Sequence, residues 1–287
     1  MNHLPGIWQH LFKTPHQLGW VNVQGVNTRY LEAGPVDAPV VLLLHGTAGS
    51  LENFCANYGA YAQHFRAIGI DLLGCGMTDK PDSDYLIQDY AEHVRGVMDA
   101  LGIAHACVVG VSLGSWVGAA LALAHPQRVD KLVMVAPAGI VTDPEEERRV
   151  AEGVRQRRSA AVGDPSWETV SAAMKGLVLH PETLSDDLVA IRLEIYRDPR
   201  MKAAMPHLLA FTLGGQALSE AQWRTLTLPI QVIAAVEAPN MFLRNAYAIA
   251  KKAPHVQLVE MKGCDHWAQY EQADAFNQTS IAFLQEK

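Results

Sequence analysis

Six short apolar runs, each separated from the next by at least a helix-length stretch or a loop-and-helix unit, constrain this chain more than any other feature. The runs are Val40–Leu44, Ala67–Asp71, Ala106–Val111, Leu132–Ala136, Ile230–Ala235 and Val256–Met261. Their hydrophobicity is continuous rather than alternating, the pattern of strands buried on both faces. Amphipathic stretches such as Leu86–Leu101 and Ser115–His125 lie between them. Strand alternating with helix predicts βαβ units and a mostly parallel, doubly wound α/β sheet. Ahead of these, Trp20–Val23 and Thr28–Glu32 flank Gln24-Gly25-Val26-Asn27, which predicts a hairpin on the antiparallel edge.

The alternation stops after Leu132–Ala136. From about residue 139 to 226 no buried strand is visible, and helical stretches are interrupted by Pro144, Pro165, Pro181, Pro199 and Pro206. The strand pattern resumes at Leu228-Pro229-Ile230. We therefore expect a core at 1–138 and 227–287, with a helical cap at 139–226 lying over the C-terminal ends of the strands. The charged stretch Glu145–Arg158 reads as a solvated helix face.

Composition removes several function classes. The 287 residues carry a net charge of −7, where a nucleic-acid footprint would need a basic patch. The longest apolar runs, such as Val40–Leu44, fall far short of the roughly 20 residues of a membrane span. The N-terminal MNHLPGIWQHLFKTPHQ has no basic segment followed by an apolar one, so no leader and a cytoplasmic location are expected. Cys55, Cys75, Cys107 and Cys264 show no paired spacing and read as free thiols, and no metal site is predicted.

Gly110-Val111-Ser112-Leu113-Gly114 joins the run Ala106–Val111 to a helical pattern. A GxSxG turn needs small residues around the serine because the strand-to-helix turn is tight, and it lifts the serine to the top of the sheet. Ser112 is the candidate nucleophile. His45-Gly46-Thr47-Ala48-Gly49 follows the first buried run, and such a loop can aim a backbone N–H at an oxyanion. The expected oxyanion donors are the backbones of Thr47 and Leu113. Among 12 histidines, His266 alone follows the last strand on a loop, Lys262-Gly263-Cys264-Asp265, able to carry an imidazole over Ser112. It is the candidate base.

With these residues in place, the chain resembles the α/β-hydrolase fold. More closely it resembles the meta-cleavage-product hydrolases, which cleave carbon–carbon bonds in aromatic degradation. The resemblance runs from about Trp20 onward. It rests on His45-Gly46, Asn53, Gly110 to Gly114, and above all His266-Trp267-Ala268-Gln269-Tyr270-Glu271 with Ala273-Asp274-Ala275-Phe276-Asn277. It implies that Arg192 contacts the substrate's carboxylate or dienol oxygen, that Trp267 and Asn53 line the substrate site, and that the substrate is a small molecule. It also implies that no metal or organic cofactor is needed and that a homo-oligomer, dimer or larger, is possible.

Two positions depart from the family. Val111 stands where an asparagine usually precedes the nucleophile, which puts the C–C substrate class in doubt. Ala238 stands where the triad acid is expected, and in serine proteases losing that carboxylate's function costs about 10⁴ in kcat. Glu237, one position earlier, is the expected acid; a Ser–His dyad, an inactivating substitution and Asp143 are the alternatives, whereas Asp265 points away. An esterase, lactonase or amidase is the second reading of the enzyme. A binding homologue without turnover and a cofactor-independent oxygenase complete the readings.

Overall fold

The computed structural model describes residues 5–286; the first four residues of the N-terminal stretch read above lie outside them. All six apolar runs are strands, shifted by three residues at most, and the hairpin ahead of them is longer than expected. It comprises β1 (His16–Val23) and β2 (Val26–Ala33). Their turn is only Gln24-Gly25, both at positive φ, because a two-residue hairpin turn must follow the twist of its strands. The others are β3 (Val40–Leu44), β4 (Arg66–Ile70), β5 (Ala106–Val111), β6 (Val129–Val135), β7 (Ile230–Ala235) and β8 (Val256–Met261).

These form one sheet in the order β1-β2-β4-β3-β5-β6-β7-β8, antiparallel only at the β1–β2 and β2–β4 pairings. Every residue of β5 is buried, as a strand covered on both faces requires. From β3 the chain first pairs outward to β4 and then returns to place β5 on the other side of β3. A topological switch point therefore lies between β3 and β5, and ligands bind at the carboxyl ends of such strands.

Twelve helices complete the described residues. α1 (Ile7–Leu11) and α2 (Cys55–Tyr61) precede α3 (Ile87–Ala100) and α4 (Leu113–Ala124). Between β6 and β7 come α5 (Pro144–Gly163), α6 (Trp167–Lys175), α7 (Asp186–Arg197), α8 (Pro199–Leu208) and α9 (Glu220–Thr225). α10 (Met241–Lys252), α11 (Ala268–Glu271) and α12 (Ala273–Gln285) follow.

The prolines that punctuate the 139–226 region have local roles. Pro144 and Pro199 open α5 and α8, where a missing N–H is harmless. Asp143 caps α5, its Oδ1 accepting from the N–H groups of Glu145 and Glu146.

One expectation fails on α5. Its charged face is solvated only in part: Arg158 is buried with Ala161 and Val162, and Val150, Val154 and Arg158 line a cavity above the sheet. The four-residue spacing of 150, 154 and 158 forms a stripe that the many flanking charges obscure.

Candidate active site

Ser112 sits between β5 and α4 with φ 54° and ψ −112°. A non-glycine residue there is strained and persists only where its surroundings over-determine it. The flanking glycines supply that constraint. A Cβ on Gly110 would stand 2.4 Å from the Gly114 carbonyl, and one on Gly114 would stand 2.1 Å from the Leu44 carbonyl oxygen. β5, α4 and the end of β3 therefore touch through backbone. The Ser112 N–H donates to the Val135 carbonyl (2.9 Å), while its side chain lines the cavity.

The loop after β3 lies against the serine, an ideal Cβ on Gly46 falling 3.4 Å from the Ser112 Cβ. His45 fixes this loop. Its Nε2 accepts the Leu72 N–H (3.0 Å), so Nδ1 carries the proton and donates to the Gly46 carbonyl (2.7 Å). Burial drives the His45 pKa down to about 3, so the ring stays neutral and this tautomer persists. Farther along, Ala48 adopts φ 53°, and its carbonyl accepts from Arg192 Nη1 (2.7 Å) and the Tyr196 hydroxyl (3.2 Å). The N–H groups of Thr47 and Leu113 have no acceptor among the described residues. Leu113 opens α4, so its N–H stands at the positive end of the helix dipole.

His266 follows β8 and lines the same cavity as Ser112. Its half-buried ring meets Phe242 edge-on, with centroids 4.4 Å apart. Asn240 positions that phenylalanine by capping α10, its Oδ1 accepting from the Phe242 and Leu243 N–H groups. Burial, reinforced by the charge of Arg158, lowers the His266 pKa to about 3. Its ring nitrogens have no hydrogen-bond partner among the described residues.

None of the carboxylates weighed from the sequence is brought to His266. Glu237 is exposed and its Oε2 accepts the Gly263 N–H (2.8 Å), because the turn after β7 faces residue 237 outward and buries residue 238. Asp143 is committed to capping α5. Asp265 accepts from Asn240 Nδ2 (2.9 Å), and burial pushes its carboxyl pKa up.

Arg192 and Asn53 are brought together. Arg192 is buried, its Nη2 donates to Asn53 Oδ1 (2.9 Å), and its Nε is buried without a partner. Trp267 is buried on the cavity wall, its backbone N–H donating to the Leu177 carbonyl (3.1 Å). Much of the surrounding motif is scaffold. Glu271 accepts from the backbones of His180 and Asp265, while Asn57 donates to Asn277 and to the Gln269 carbonyl.

The cavity has two limbs that meet at Ser112 and Thr47. One, of about 250 Å³, sets the charged and polar groups of Arg192, Arg158, Asn53 and His266 among apolar side chains such as Val154, Leu177 and Phe242. The other, of about 130 Å³, is mostly apolar, with Trp116, Phe211, Val141 and Leu213. Sequence reading missed Arg158, Tyr196 and Phe242; the stripe on α5 is the one signal that pointed to the first.

A strained serine at a strand-to-helix turn, a facing histidine and free backbone N–H groups at the switch point of a doubly wound sheet define a hydrolase of the α/β class. The family model described as the alpha/beta hydrolase fold matches residues 39–273, and the chain belongs to that family. It is 29% identical over 259 residues to a 2-hydroxy-6-oxononadienedioate/2-hydroxy-6-oxononatrienedioate hydrolase of a Pseudomonas species, covering 85% of this chain and 87% of that one. It is 29% identical over 267 residues to a 2-hydroxy-6-oxo-6-phenylhexa-2,4-dienoate hydrolase of Burkholderia cepacia, covering 88% and 89%. The structure of a 2-hydroxy-6-oxo-6-phenylhexa-2,4-dienoate hydrolase from Rhodococcus sp. strain RHA1 superposes with a TM-score of 0.82 at 23% identity, over 95% of this chain and all of that one.

Proposed function

We propose that this protein hydrolyses a carbon–carbon bond in a 2-hydroxy-6-oxo-dienoate, with Ser112 and His266 as the reacting pair. The observation that carries this reading is the two-limbed cavity: a ligand crossing Ser112 is received by arginines at one end and by apolar side chains at the other. A dienoate with a carboxylate at one end and an organic acyl group at the other has that polarity. The two relatives named for 2-hydroxy-6-oxo-6-phenylhexa-2,4-dienoate are named for such a compound, whereas the nonadienedioate of the Pseudomonas relative carries a carboxylate at both ends. In this reading the helices between β6 and β7 form the cap of the site.

The state of His266 supports the same chemistry. Burial and the nearby charge of Arg158 keep the His266 ring neutral, as a proton acceptor must be, and an enol offers it a more acidic proton than a serine hydroxyl does. His266 takes that proton and returns it to carbon, so the dienol becomes a ketone. Ser112, or a water, then attacks the second carbonyl while His266 takes the attacking group's proton; where Ser112 attacks, a water later breaks the acyl–serine bond. The oxyanion rests on the N–H groups of Thr47 and Leu113, and the ketone accepts the electrons of the leaving carbon. The leaving enolate takes the proton that His266 received, and water is the co-reactant consumed.

Among the described residues no helix is long and apolar enough to cross a membrane. All four cysteines are free and buried, with Cys55, Cys75, Cys107 and Cys264 each pushed up to about 12 by burial. Unreactive free thiols accord with a cytoplasmic enzyme acting on a small molecule. A dimer or larger homo-oligomer belongs to the same proposal. Ester or lactone cleavage is the second reading, favoured by Val111, which puts no polar group beside the nucleophile.

Stopped-flow absorbance with a yellow meta-cleavage dienoate, beside a p-nitrophenyl ester, tests the proposal. Bleaching of the dienoate that disappears in Ser112→Ala and His266→Ala supports C–C hydrolysis. Ester turnover with an unbleached dienoate moves the protein to the second reading.

A further inference from the structure

Three arginines line the limb that holds His266, none with a counter-ion among the described residues. Arg157 is exposed to solvent, whereas Arg192 and Arg158 are only 3% and 7% exposed. Arg192 uses Nη1 on the Ala48 carbonyl and Nη2 on Asn53, which leaves Nε buried and unpartnered. Arg158, on α5, makes a single hydrogen bond, from Nη1 to the Tyr196 hydroxyl oxygen at 3.5 Å. That hydroxyl donates to the same Ala48 carbonyl, and the Tyr196 ring lies 5.6 Å from the Arg192 guanidinium. Two cations thus flank one tyrosine, no more than three hydrogen-bond lengths apart, on the limb that holds Ser112 and His266.

Burying an unpaired guanidinium is unfavourable, and a second one nearby adds repulsion. The neighbouring acids do not offset this. Glu146 pairs with Arg244, and Asp265 is bonded to Asn240. The opposite limb places Trp116, Phe211 and Val141 around the ligand instead. The ligand must therefore bring two anionic centres to the same end.

We propose that Arg158 is a second anion receptor of the site, holding the enolate oxygen at C2 of the dienoate while Arg192 holds the carboxylate at C1. This assignment rests on the carbon–carbon hydrolase reading above. An ionised 2-hydroxydienoate carries its two anionic groups on adjacent carbons, which suits two guanidinium groups separated by one phenol. In the ionisation the enol O–H bond breaks and the proton leaves by way of His266 to solvent. The electron pair stays on the oxygen that faces Arg158. Val111 offers that oxygen no donor, so the receptor comes from the helical insertion rather than from the strand.

The test uses Ser112→Ala protein, which holds the dienoate without turning it over, and reads the absorbance of the bound chromophore. The long-wavelength band of the dienolate is expected in Ser112→Ala and is expected to give way to the enol band in Ser112→Ala with Arg158→Gln. At fixed pH and saturating dienoate the dienolate-to-enol ratio should fall about 100-fold, the effect of removing a cation at contact distance from an acid. Arg158→Lys, which keeps the charge, should restore much of the band. Identical spectra with and without Arg158, or a lysine variant no better than glutamine, overturn the assignment. Ser112→Ala protein that binds no dienoate removes the hydrolase reading itself, an outcome distinct from a bound but unshifted spectrum. Should Arg158→Gln fail to fold, oxalate must protect Ser112→Ala protein from heat where acetate at equal ionic strength does not. Equal protection by the two anions overturns the assignment.

Discussion

The loop that carries Ser112 and the loop that carries His266 meet across one cavity but are built differently. On the serine side, backbone touches backbone through Gly110 and Gly114, His45 bridges Gly46 to Leu72, and two donors from α7 hold the Ala48 carbonyl. On the histidine side the loop's backbone is held, by Glu237 at Gly263 and Glu271 at Asp265, while the ring itself rests on the edge of Phe242. Rigid backbone contact fixes where a nucleophile stands. The ring of the base takes its properties from what covers it, and here burial and Arg158 set its proton affinity.

Removing either end of this pair gives the largest effect. Ser112→Ala and His266→Ala should each lower kcat by at least about 10⁴-fold, and the double variant should be little worse than either alone. Additive losses, seen in the stopped-flow bleaching rate, would break the view of one reacting unit. Next comes the support of the serine side. His45→Leu removes the bridge between Gly46 and Leu72, and should cost about 10²-fold in kcat through a misplaced Thr47 N–H. A change confined to KM would show that the loop binds substrate rather than stabilising charge.

The histidine side is sharpened by adding what it lacks. Ala238→Asp places a carboxylate at the inward-facing position of the turn after β7 and should raise the His266 pKa from about 3. The active form is the neutral ring, so activity is lost as pH falls through that pKa. The kcat/KM of the wild type should therefore stay level as pH falls from about 8 to 5, while that of the variant declines over the same range. Ester turnover at neutral pH should rise about tenfold. A pH profile that does not move would mean that the new carboxylate does not face the ring. Smallest of all, Glu237→Gln should change kcat less than about threefold, since the side chain is exposed and serves a backbone N–H. A loss approaching that of His266→Ala would restore Glu237 as the acid.

The parts legible in the sequence were those set by local backbone geometry. GxSxG after a fully apolar strand dictates the strained turn, because only glycine tolerates contacts near 2 Å at both flanking positions. The central strands β3 to β7 were legible because burial on both faces leaves continuous Val, Ile and Leu runs, whereas β8, at the sheet's edge, buries only Met261 despite its similar run. Arg192 and Asn53 lie 139 positions apart, and only the resemblance associates both with one site; in the fold a 2.9 Å hydrogen bond joins them.

Glu237 shows the limit. Spacing points to position 238, which the folded turn does bury but which carries alanine; Glu237, the carboxylate beside it, is left facing solvent. Arg158 shows it from the other side. In sequence it is one of several charges on a hydrophilic helix; in the fold it is buried beside Tyr196 and acts on His266. The sequence by itself determined the sheet, the elbow and the residues at the strand ends, since these follow from neighbours in the chain and from glycine's missing side chain. Tertiary structure alone decided which charges share the cavity and what governs the base, because electrostatic coupling depends on through-space distance and burial, and chain order encodes neither.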